Sequence, residues 1–215
     1  MIKAVLFDLD GTLADTAPDL ASAVNVLRAA RQMPPLPLAA TRPVTSHGAR
    51  GLLGVGLGIG PDDKEYDSLR NEFLAIYEAN LCRETKLFPG MSPVLAALEK
   101  RRVPWGVVTN KIERFTLPLL DALELKRRAS CIVSGDTTPH TKPHPAPLLA
   151  ASQAIAVEPQ ACLYLGDDRR DVDAAHAAGM KAAVAGWGYL NGNDSDTWGA
   201  DWILARPEAV LELLD

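Results

Sequence analysis

The sequence is poor in cysteine and lacks long apolar runs, and both features narrow the classes of protein it can belong to. Cys82, Cys131 and Cys162 form no CxxC pair and leave one thiol over, so neither a disulfide framework nor a structural zinc site is favoured. The apolar run before Asp8 is too short for a signal peptide. Residues 51–60, the longest weakly polar stretch, reach about half the length of a membrane span. We therefore expect a cytoplasmic protein with no membrane partner.

The chain also lacks an excess of positive charge. It has 22 Lys and Arg against 27 Asp and Glu, with a net charge of −5. No cluster of basic residues alternates with aromatic residues, as a nucleic-acid groove would require, so nucleic acid is not an expected partner. The 215 residues are 47% hydrophobic and 23% charged. That composition predicts a folded protein with one main core and an insertion.

Short apolar runs alternate with segments of helical periodicity along most of the chain. The runs predict strands at Lys3–Phe7, Pro104–Thr109, Cys131–Ser134, Cys162–Leu165, Ala182–Ala185 and Trp202–Leu204. The periodic segments predict helices at Pro93–Arg102, Phe115–Leu123, Ala146–Ala156, Asp171–Ala178 and Pro207–Leu214. This alternation is typical of an α/β fold, and we expect a Rossmann-like parallel sheet with helices on both faces.

One interval breaks this alternation. From about residue 15 to residue 86 the sequence predicts helices and turns but no convincing strand, with helical spacing over Asp19–Arg31 and Tyr66–Leu81. We interpret residues 15–86 as an inserted small α-helical cap, and residues 1–14 and 87–215 as the catalytic core. The glycine-rich residues 51–60 predict a loop or a weakened helix. They follow no strand and lack the Lys-Ser/Thr of a nucleotide-binding loop.

Two carboxylates stand two residues apart where the first strand ends. Asp8 and Asp10 follow the apolar run, at the sheet edge where open α/β sheets bind ligands. Carboxylates this close repel one another unless a cation or a shared proton compensates, and oxygen ligands with a phosphate substrate favour Mg²⁺. The alternative is a structural turn, in which Gly11 supplies a permissive backbone and Thr12 caps a helix.

The run from Phe7 to Thr16, FDLDGTLADT, resembles the signature of the haloacid dehalogenase-like hydrolases. The resemblance implies a Mg²⁺-dependent phosphatase in which Asp8 attacks phosphorus and forms an aspartyl-phosphate. It implies that Asp10 protonates the leaving alcohol and then activates water, and it makes both residues metal ligands. The second aspartate argues against dehalogenation itself.

Three later strand ends carry polar residues that would neutralise a phosphate ester. Thr109 and Asn110 offer a hydroxyl and backbone amides, although they also suit a helix cap. By resemblance they bind phosphate, and Lys142, in a proline-rich loop, contacts phosphate and Asp8. The spacing of Asp167 and Asp171 lets both face one site. By resemblance Asp167 binds the metal, and Asp171 lies behind it or holds Lys142.

Substrate choice should come from the cap. The run SHGARG at Ser46–Gly51 predicts substrate contacts from His47, Gly48 and Arg50, with Arg50 on a second anionic group. A solvated Arg and a packed His are the alternative. Trp187, Tyr189 and Trp198 could rim the site or form a contact surface.

The resemblance leaves the substrate open between two small phosphorylated metabolites. KPHPAPL, at residues 142–148, is similar to phosphoglycolate phosphatases, whereas SHGAR, GVVTNK, GDDRRD and WGAD resemble N-acetylmuramic acid 6-phosphate phosphatases. A sugar-phosphate mutase and a non-catalytic binding protein are alternatives from other classes. We expect a monomer or a homodimer.

Overall fold

A central parallel sheet organises the molecule. The computed structural model describes residues 1–190, 192 and 195–214. The strands are β1 (Ala4–Phe7), β2 (Ala14–Asp15), β3 (Lys86–Leu87), β4 (Trp105–Val108), β5 (Cys131–Val133), β6 (Cys162–Gly166), β7 (Lys181–Ala185) and β8 (Trp202–Leu204). Six of them form a sheet in the order β5-β4-β1-β6-β7-β8 with every pair parallel. All six strands predicted from the sequence are confirmed.

Strand β1 lies between the two halves of this sheet. Phe7 at its end pairs with Val107 of β4 on one side and with Leu165 of β6 on the other. The chain moves outward from β1 in both directions, so the order reverses beside it, and ligands bind at such a reversal beyond the carboxyl ends of the strands. The residues after β1, β4 and β6 therefore meet at one edge.

Helices cover both faces of the sheet. The α-helices are α1 (Ala17–Ala30), α2 (Leu38–Thr41), α3 (Gly48–Leu57), α4 (Tyr66–Ala79), α5 (Met91–Lys100), α6 (Glu113–Ala122), α7 (Ala146–Ala154) and α8 (Arg169–Ala177). Because side chains alternate along a strand, Val5 and Phe7 point into the core under α5 and α6, whereas Ala4 and Leu6 point into the core under α7 and α8. The predicted fold class is confirmed.

The segment between β2 and β3 has a hydrophobic cluster of its own. Buried residues of α1, α3 and α4 pack together there, and the described core adds Phe115 of α6 to this cluster. Strands β2 and β3 pair antiparallel, so the two ends of the segment lie side by side. The predicted boundaries at residues 14/15 and 86/87 fall in this ribbon. The division into core and cap stays a prediction.

Two details differ from the sequence-based expectations, and another decides between two alternatives. Residues 15 and 86 lie in the short β2–β3 ribbon, which is too brief to show periodicity. Of the loop and the weakened helix expected for the glycine-rich stretch, the structure has a helix, α3, through Leu57, because Leu52 and Leu53 are buried and Gly56 sits directly against Val24. Pro207–Leu213 is a 3₁₀ helix, not an α-helix.

In the part of the chain that the structure describes, no helix combines the length and apolar character needed to cross a membrane.

Candidate active site

Asp8 occupies the position immediately after β1, at the carboxyl edge of the sheet. Its Oδ1 accepts a hydrogen bond from the backbone N–H of Leu9 at 2.7 Å and lies 3.0 Å from Nζ of Lys142. Oδ2 makes no hydrogen bond to the described residues. Asp8 lines the main cavity of the protein, so this second oxygen is available to an incoming group.

Lys142 joins two carboxylates beneath the cavity. Its Nζ lies 2.7 Å from Oδ1 of Asp171, and it also bonds the hydroxyl of Tyr164 at 2.7 Å and the carbonyl of Val108 at 3.2 Å. Lys142 is 4% exposed. Burial opposes its charge, but Asp171 and Asp8 raise its pKa above the usual value, so Lys142 is a fixed cation beside Asp8.

Asp167, at the end of β6, is the third buried carboxylate at this edge. Its Oδ1 accepts from the hydroxyl of Thr12 at 3.0 Å, and its Oδ2 accepts from the backbone N–H of Tyr189 at 2.8 Å. Gly11, with φ of 85°, leaves room for it, since a Cβ at this position would lie 2.2 Å from Oδ2 of Asp167. The chain therefore brings the Asp8 loop and Asp167 into direct proximity.

These carboxylates carry more negative charge than Lys142 alone balances. Asp8, Asp167 and Asp171 each present one oxygen within 4.8 Å of the others. Burial raises the pKa of Asp8 to about 7, although Lys142 opposes the shift. Burial also raises the pKa of Asp167 well above its usual value, with further contributions from Asp8 and Asp171. A hard divalent cation with oxygen ligands, such as Mg²⁺, fits this donor set.

Asp10 lies apart from this group of three. Its Oδ1 accepts from the hydroxyl of Thr16 at 2.5 Å and from Nζ of Lys111 at 2.9 Å. Lys111 lies over the ring of Tyr77, 4.9 Å from the centroid. The predicted metal set was Asp8, Asp10 and Asp167, whereas the oxygens that the structure clusters belong to Asp8, Asp167 and Asp171. The carboxylate of Asp10 instead faces a lysine.

Thr109 and Asn110 follow β4 at the same edge, as expected. The hydroxyl oxygen of Thr109 accepts from the backbone N–H of Lys111 at 3.2 Å, which leaves its proton for another acceptor. The side chain of Asn110 bonds both the backbone N–H and the carbonyl of Lys142, at 2.9 and 3.0 Å. Asn110 therefore fixes the Lys142 loop, and what it offers to a ligand is its backbone N–H.

A cavity of about 390 Å³ lies between this edge and the cap segment. The predicted cap residues His47, Gly48 and Arg50 line it, opposite the acidic residues. Its remaining wall is largely apolar, with Phe73 of α4 and Phe115 of α6 among the residues that line it. Predicted residues from the core and from the cap segment therefore line one and the same cavity.

Hydrogen bonds connect the cap segment to the core beside the cavity. Arg170 pairs with Asp168 at 2.8 Å and donates to the carbonyl of Ser46 at 2.8 Å. The Ser46 hydroxyl lies 3.4 Å from Oδ2 of Asp167. Asp168 caps helix α8, and Asp171 completes the capping box. No role was predicted for Arg170 from the sequence.

The aromatic residues near the carboxyl end support the acidic loops. The Trp187 indole donates to the carbonyl of Thr12 at 3.0 Å. The Tyr189 hydroxyl donates to Asp15 at 2.7 Å, and Arg42 of the cap segment both pairs with Asp15 at 2.7 Å and stacks on Tyr189. Trp198 packs against the cluster under α7 and α8. Trp187 and Tyr189 therefore support the acidic loops of the site and do not form a separate contact surface.

The fold and this site together define a class of enzyme. The acidic residues after β1 and β6 and the lysine between them all lie within residues 5–185, which match the family model of the haloacid dehalogenase-like hydrolases. The chain belongs to this family. The predicted family is confirmed, and with it the prediction that the chain is a hydrolase.

Similar proteins cover nearly the entire chain. A phosphoglycolate phosphatase of Xanthomonas campestris pv. campestris is 43% identical over 98% of this chain and 95% of its own length. An N-acetylmuramic acid 6-phosphate phosphatase of Pseudomonas aeruginosa is 39% identical over 100% of this chain and 95% of its own. The crystal structure of a predicted phosphoglycolate phosphatase from Haemophilus somnus superimposes with a TM-score of 0.87 at 28% identity, covering 100% of this chain and 98% of that one.

Proposed function

We propose that this protein is a Mg²⁺-dependent phosphatase of small anionic phosphomonoesters that works through an aspartyl-phosphate on Asp8. One observation carries the proposal: Asp8 keeps Oδ2 free at the cavity while Lys142, 3.0 Å from Oδ1, holds it beside a cluster of carboxylates. A carboxylate can attack a phosphate ester only where charge is neutralised, and Lys142 supplies part of that neutralisation.

In the first step Oδ2 of Asp8 bonds to phosphorus and the bond from phosphorus to the ester oxygen breaks. Thr109 donates its hydroxyl proton to a phosphate oxygen, and the backbone N–H of Asn110 donates to another. Asp10 gives a proton to the departing alkoxide, so the alcohol leaves neutral. Asp10 lines the cavity and is not part of the buried group of three, so its carboxyl group is separate from the Asp8 nucleophile. Its Oδ1 is held by Lys111 and Thr16.

In the second step the acyl-phosphate is hydrolysed. Asp10, now a carboxylate, removes a proton from water, and the water oxygen attacks phosphorus. The bond between phosphorus and Oδ2 of Asp8 breaks, which releases inorganic phosphate and restores the Asp8 carboxylate. Lys111 stabilises the carboxylate form of Asp10 between the two steps, since its Nζ lies 2.9 Å from Oδ1.

Asp8 and Asp167 would hold the Mg²⁺ ion. When bound, the ion supplies positive charge that lowers the repulsion between the phosphate and the attacking carboxylate. Asp171 has both oxygens engaged, Oδ1 by Lys142 and Oδ2 by the backbone N–H of Asp168 at 3.0 Å, which favours a role in holding Lys142. A contribution of Asp10 to the metal site stays a prediction.

Two substrates are candidates, 2-phosphoglycolate and N-acetylmuramic acid 6-phosphate. Both carry a carboxylate, which Arg50 at the cavity would meet. The size of the cavity favours the second. At about 390 Å³ it falls within the range of roughly 300–1,000 Å³ that encloses drug-sized ligands, and glycolate fills little of that space.

Phosphate release from a panel of esters tests the proposal. The panel contains both candidates, glucose phosphates, nucleotides and an aryl phosphate, each with Mg²⁺ and with a chelator. We expect release only with Mg²⁺, and we expect Asp8→Asn to lose more than about 10⁴-fold in activity. Its unchanged circular dichroism spectrum would show that the fold is intact. Activity retained by Asp8→Asn would contradict the mechanism, and a requirement for a sugar bisphosphate without phosphate release would identify a mutase.

Location and assembly stay predictions from the sequence. A cytoplasmic enzyme acting on a small phosphorylated metabolite, as a monomer or homodimer without nucleic-acid or membrane partners, is consistent with the proposed activity.

A further inference from the structure

One face of helix α4 lines the cavity along most of its length. Tyr66, Arg70, Phe73 and Tyr77 follow a spacing of four, three and four residues, which places them on one side of a helix. All four line the cavity. This face belongs to the cap segment, and Asp10 and Lys111 of the core line the same cavity.

The end of this face that carries Tyr77 lies next to the catalytic groups. Lys111, which pairs with Asp10 at 2.9 Å, is 4.9 Å from the centre of the Tyr77 ring. Phe115 of α6 meets the same ring edge-on at 5.7 Å. Tyr77 is 1% exposed, and its hydroxyl has no hydrogen-bond partner in the described chain. Tyr77 and Phe115 therefore form part of an apolar wall of the cavity, next to the pair of Lys111 and Asp10.

Arg70 stands about 10 Å further along, because seven residues of helix rise by 1.5 Å each. Its side chain leans toward the helix N-terminus and so away from Asp10. Arg70 and Arg50 form no ion pair with the described residues, although Arg31 and Arg42 of the same segment pair with Glu72 and Asp15. Both guanidinium groups thus lack an ion-pair partner at the cavity, and Arg70 is the one that lies along α4 away from Tyr77 and Asp10.

The separation of the two ends restricts the substrate. A phosphate bound beside Asp8 and Asp10 and an anionic group bound at Arg70 must belong to a molecule long enough to extend along α4 from Tyr77 to Arg70. In 2-phosphoglycolate the carboxylate lies only three bonds from phosphorus, so it cannot reach Arg70. The apolar wall formed by Phe73, Tyr77 and Phe115 would cover the middle of a longer molecule.

Resting on the proposed phosphatase activity, we infer that Arg70 is a specificity-determining residue that binds a carboxylate at the far end of the substrate. The substrate class is then a phosphomonoester of a ring-sized alcohol that presents an apolar face and a distant carboxylate. A sugar phosphate bearing a carboxylate-containing ether has these features, and 2-phosphoglycolate does not.

Two sugar phosphates that differ in the carboxylate provide the test. N-acetylmuramic acid 6-phosphate and N-acetylglucosamine 6-phosphate share the phosphate and the sugar ring, but only the first carries the lactyl carboxylate. We would measure kcat and KM for both, and for 2-phosphoglycolate, with wild-type enzyme, Arg70→Gln and the control Arg83→Gln. Arg83 is an exposed cap residue that does not line the cavity.

We expect the wild-type enzyme to prefer N-acetylmuramic acid 6-phosphate. Arg70→Gln should raise KM for that ester about tenfold or more, as expected for loss of a hydrogen bond between charged groups. It should leave kcat/KM for the other two esters within about twofold, and Arg83→Gln should change none of the three. Arg70→Lys should recover part of the loss, since it restores the charge without the paired geometry.

Several results would overturn the inference. An equal loss of kcat/KM for the two sugar phosphates in Arg70→Gln would show that Arg70 does not bind the carboxylate. A wild-type preference for 2-phosphoglycolate would also contradict the inference. Either result leaves the phosphatase activity itself standing. Release of no phosphate from these esters or from an aryl phosphate would instead overturn the proposed function and this inference together.

Discussion

The proposed chemistry depends most on a single residue, Asp8, whose surroundings have opposite effects on the charge of its carboxyl group. Burial favours the neutral carboxyl, whereas Lys142 at 3.0 Å favours the carboxylate. The negative charges of Asp171 and Asp10 also favour the neutral carboxyl. A bound cation would favour the carboxylate form of Asp8 and so oppose the effect of burial.

The raised pKa of Asp8 predicts that the stability of the protein without a metal ion falls as pH rises. The pKa of Asp8 is about 7 in the folded chain and about 3.9 in an unfolded one. Between these values the folded state holds a proton that the unfolded state has released, so stability falls as pH rises from about 4 to about 7. With a chelator present, urea unfolding should therefore have a lower midpoint at pH 8 than at pH 5.

Asp8→Asn is the matched control, because it keeps the shape and removes the titration. Its midpoint should change less between pH 5 and pH 8 than that of the wild type, and it should be the more stable of the two proteins at pH 8. A wild-type midpoint that is equal or higher at pH 8 would contradict the account of Asp8.

Most of the candidate residues could be placed at the carboxyl edge of the sheet from the sequence, but their individual contacts could not all be predicted. Asp8, Lys142 and Asp167 follow strand ends, and parallel strands bring such ends together. Lys111 stood beside Thr109 and Asn110 in the sequence without a predicted role. Its pairing with Asp10 depends on how the loop after β4 turns, and a linear pattern does not encode that turn.

At the scale of the element, the strands were predictable because each is a buried apolar run between polar loops. The ribbon of β2 and β3 was not, since two residues per strand carry no periodicity. For helix α3 the sequence left a loop and a weakened helix open. Its glycines lower helix propensity, but packing of Leu52 and Leu53 into the cap cluster outweighs that cost.

Two glycines of α3 give opposite predictions for the same substitution. A Cβ at Gly56 would lie 2.5 Å from Cγ1 of Val24, so Gly56→Ala should force α1 and α3 apart and destabilise the protein by about 1–3 kcal/mol. A Cβ at Gly54 meets nothing within 4 Å, so Gly54→Ala should stabilise it by roughly 0.5–1 kcal/mol. Urea unfolding of both variants checks this, and equal effects would show that α1 and α3 do not pack as described.

At the scale of the whole molecule, the proposed chemistry and the proposed selectivity depend on different parts of the chain. The core supplies Asp8, Lys142 and Asp167, and the cap segment supplies Arg50 and Arg70. Contacts such as the hydrogen bond from Arg170 to the carbonyl of Ser46 join the two parts beside the cavity. Closing the cap over the site would exclude water from the reacting phosphate.

The paired ends of the cap segment predict that the core folds without it. Ala14 pairs with Leu87 and Asp15 with Lys86, so a short Gly-Asn turn can replace residues 16–85. With Phe115→Gln to remove the ring that the cap covers, the shortened chain should unfold cooperatively on heating. It should keep Mg²⁺ binding by calorimetry and lose selectivity among esters. A chain that does not fold would show that residues 15–86 are part of one indivisible core.

The central claim is that Asp8 carries the phosphoryl group during turnover, and chemical trapping tests it most directly. Enzyme mixed with an aryl phosphate and Mg²⁺ would be quenched and treated with borohydride, which reduces an aspartyl-phosphate to homoserine. Asp10→Asn should increase trapping, because it slows hydrolysis of the intermediate. Mass spectrometry should find homoserine at position 8, and only with ester and Mg²⁺ present. Turnover without a reduced residue, or reduction at another position, would contradict the account.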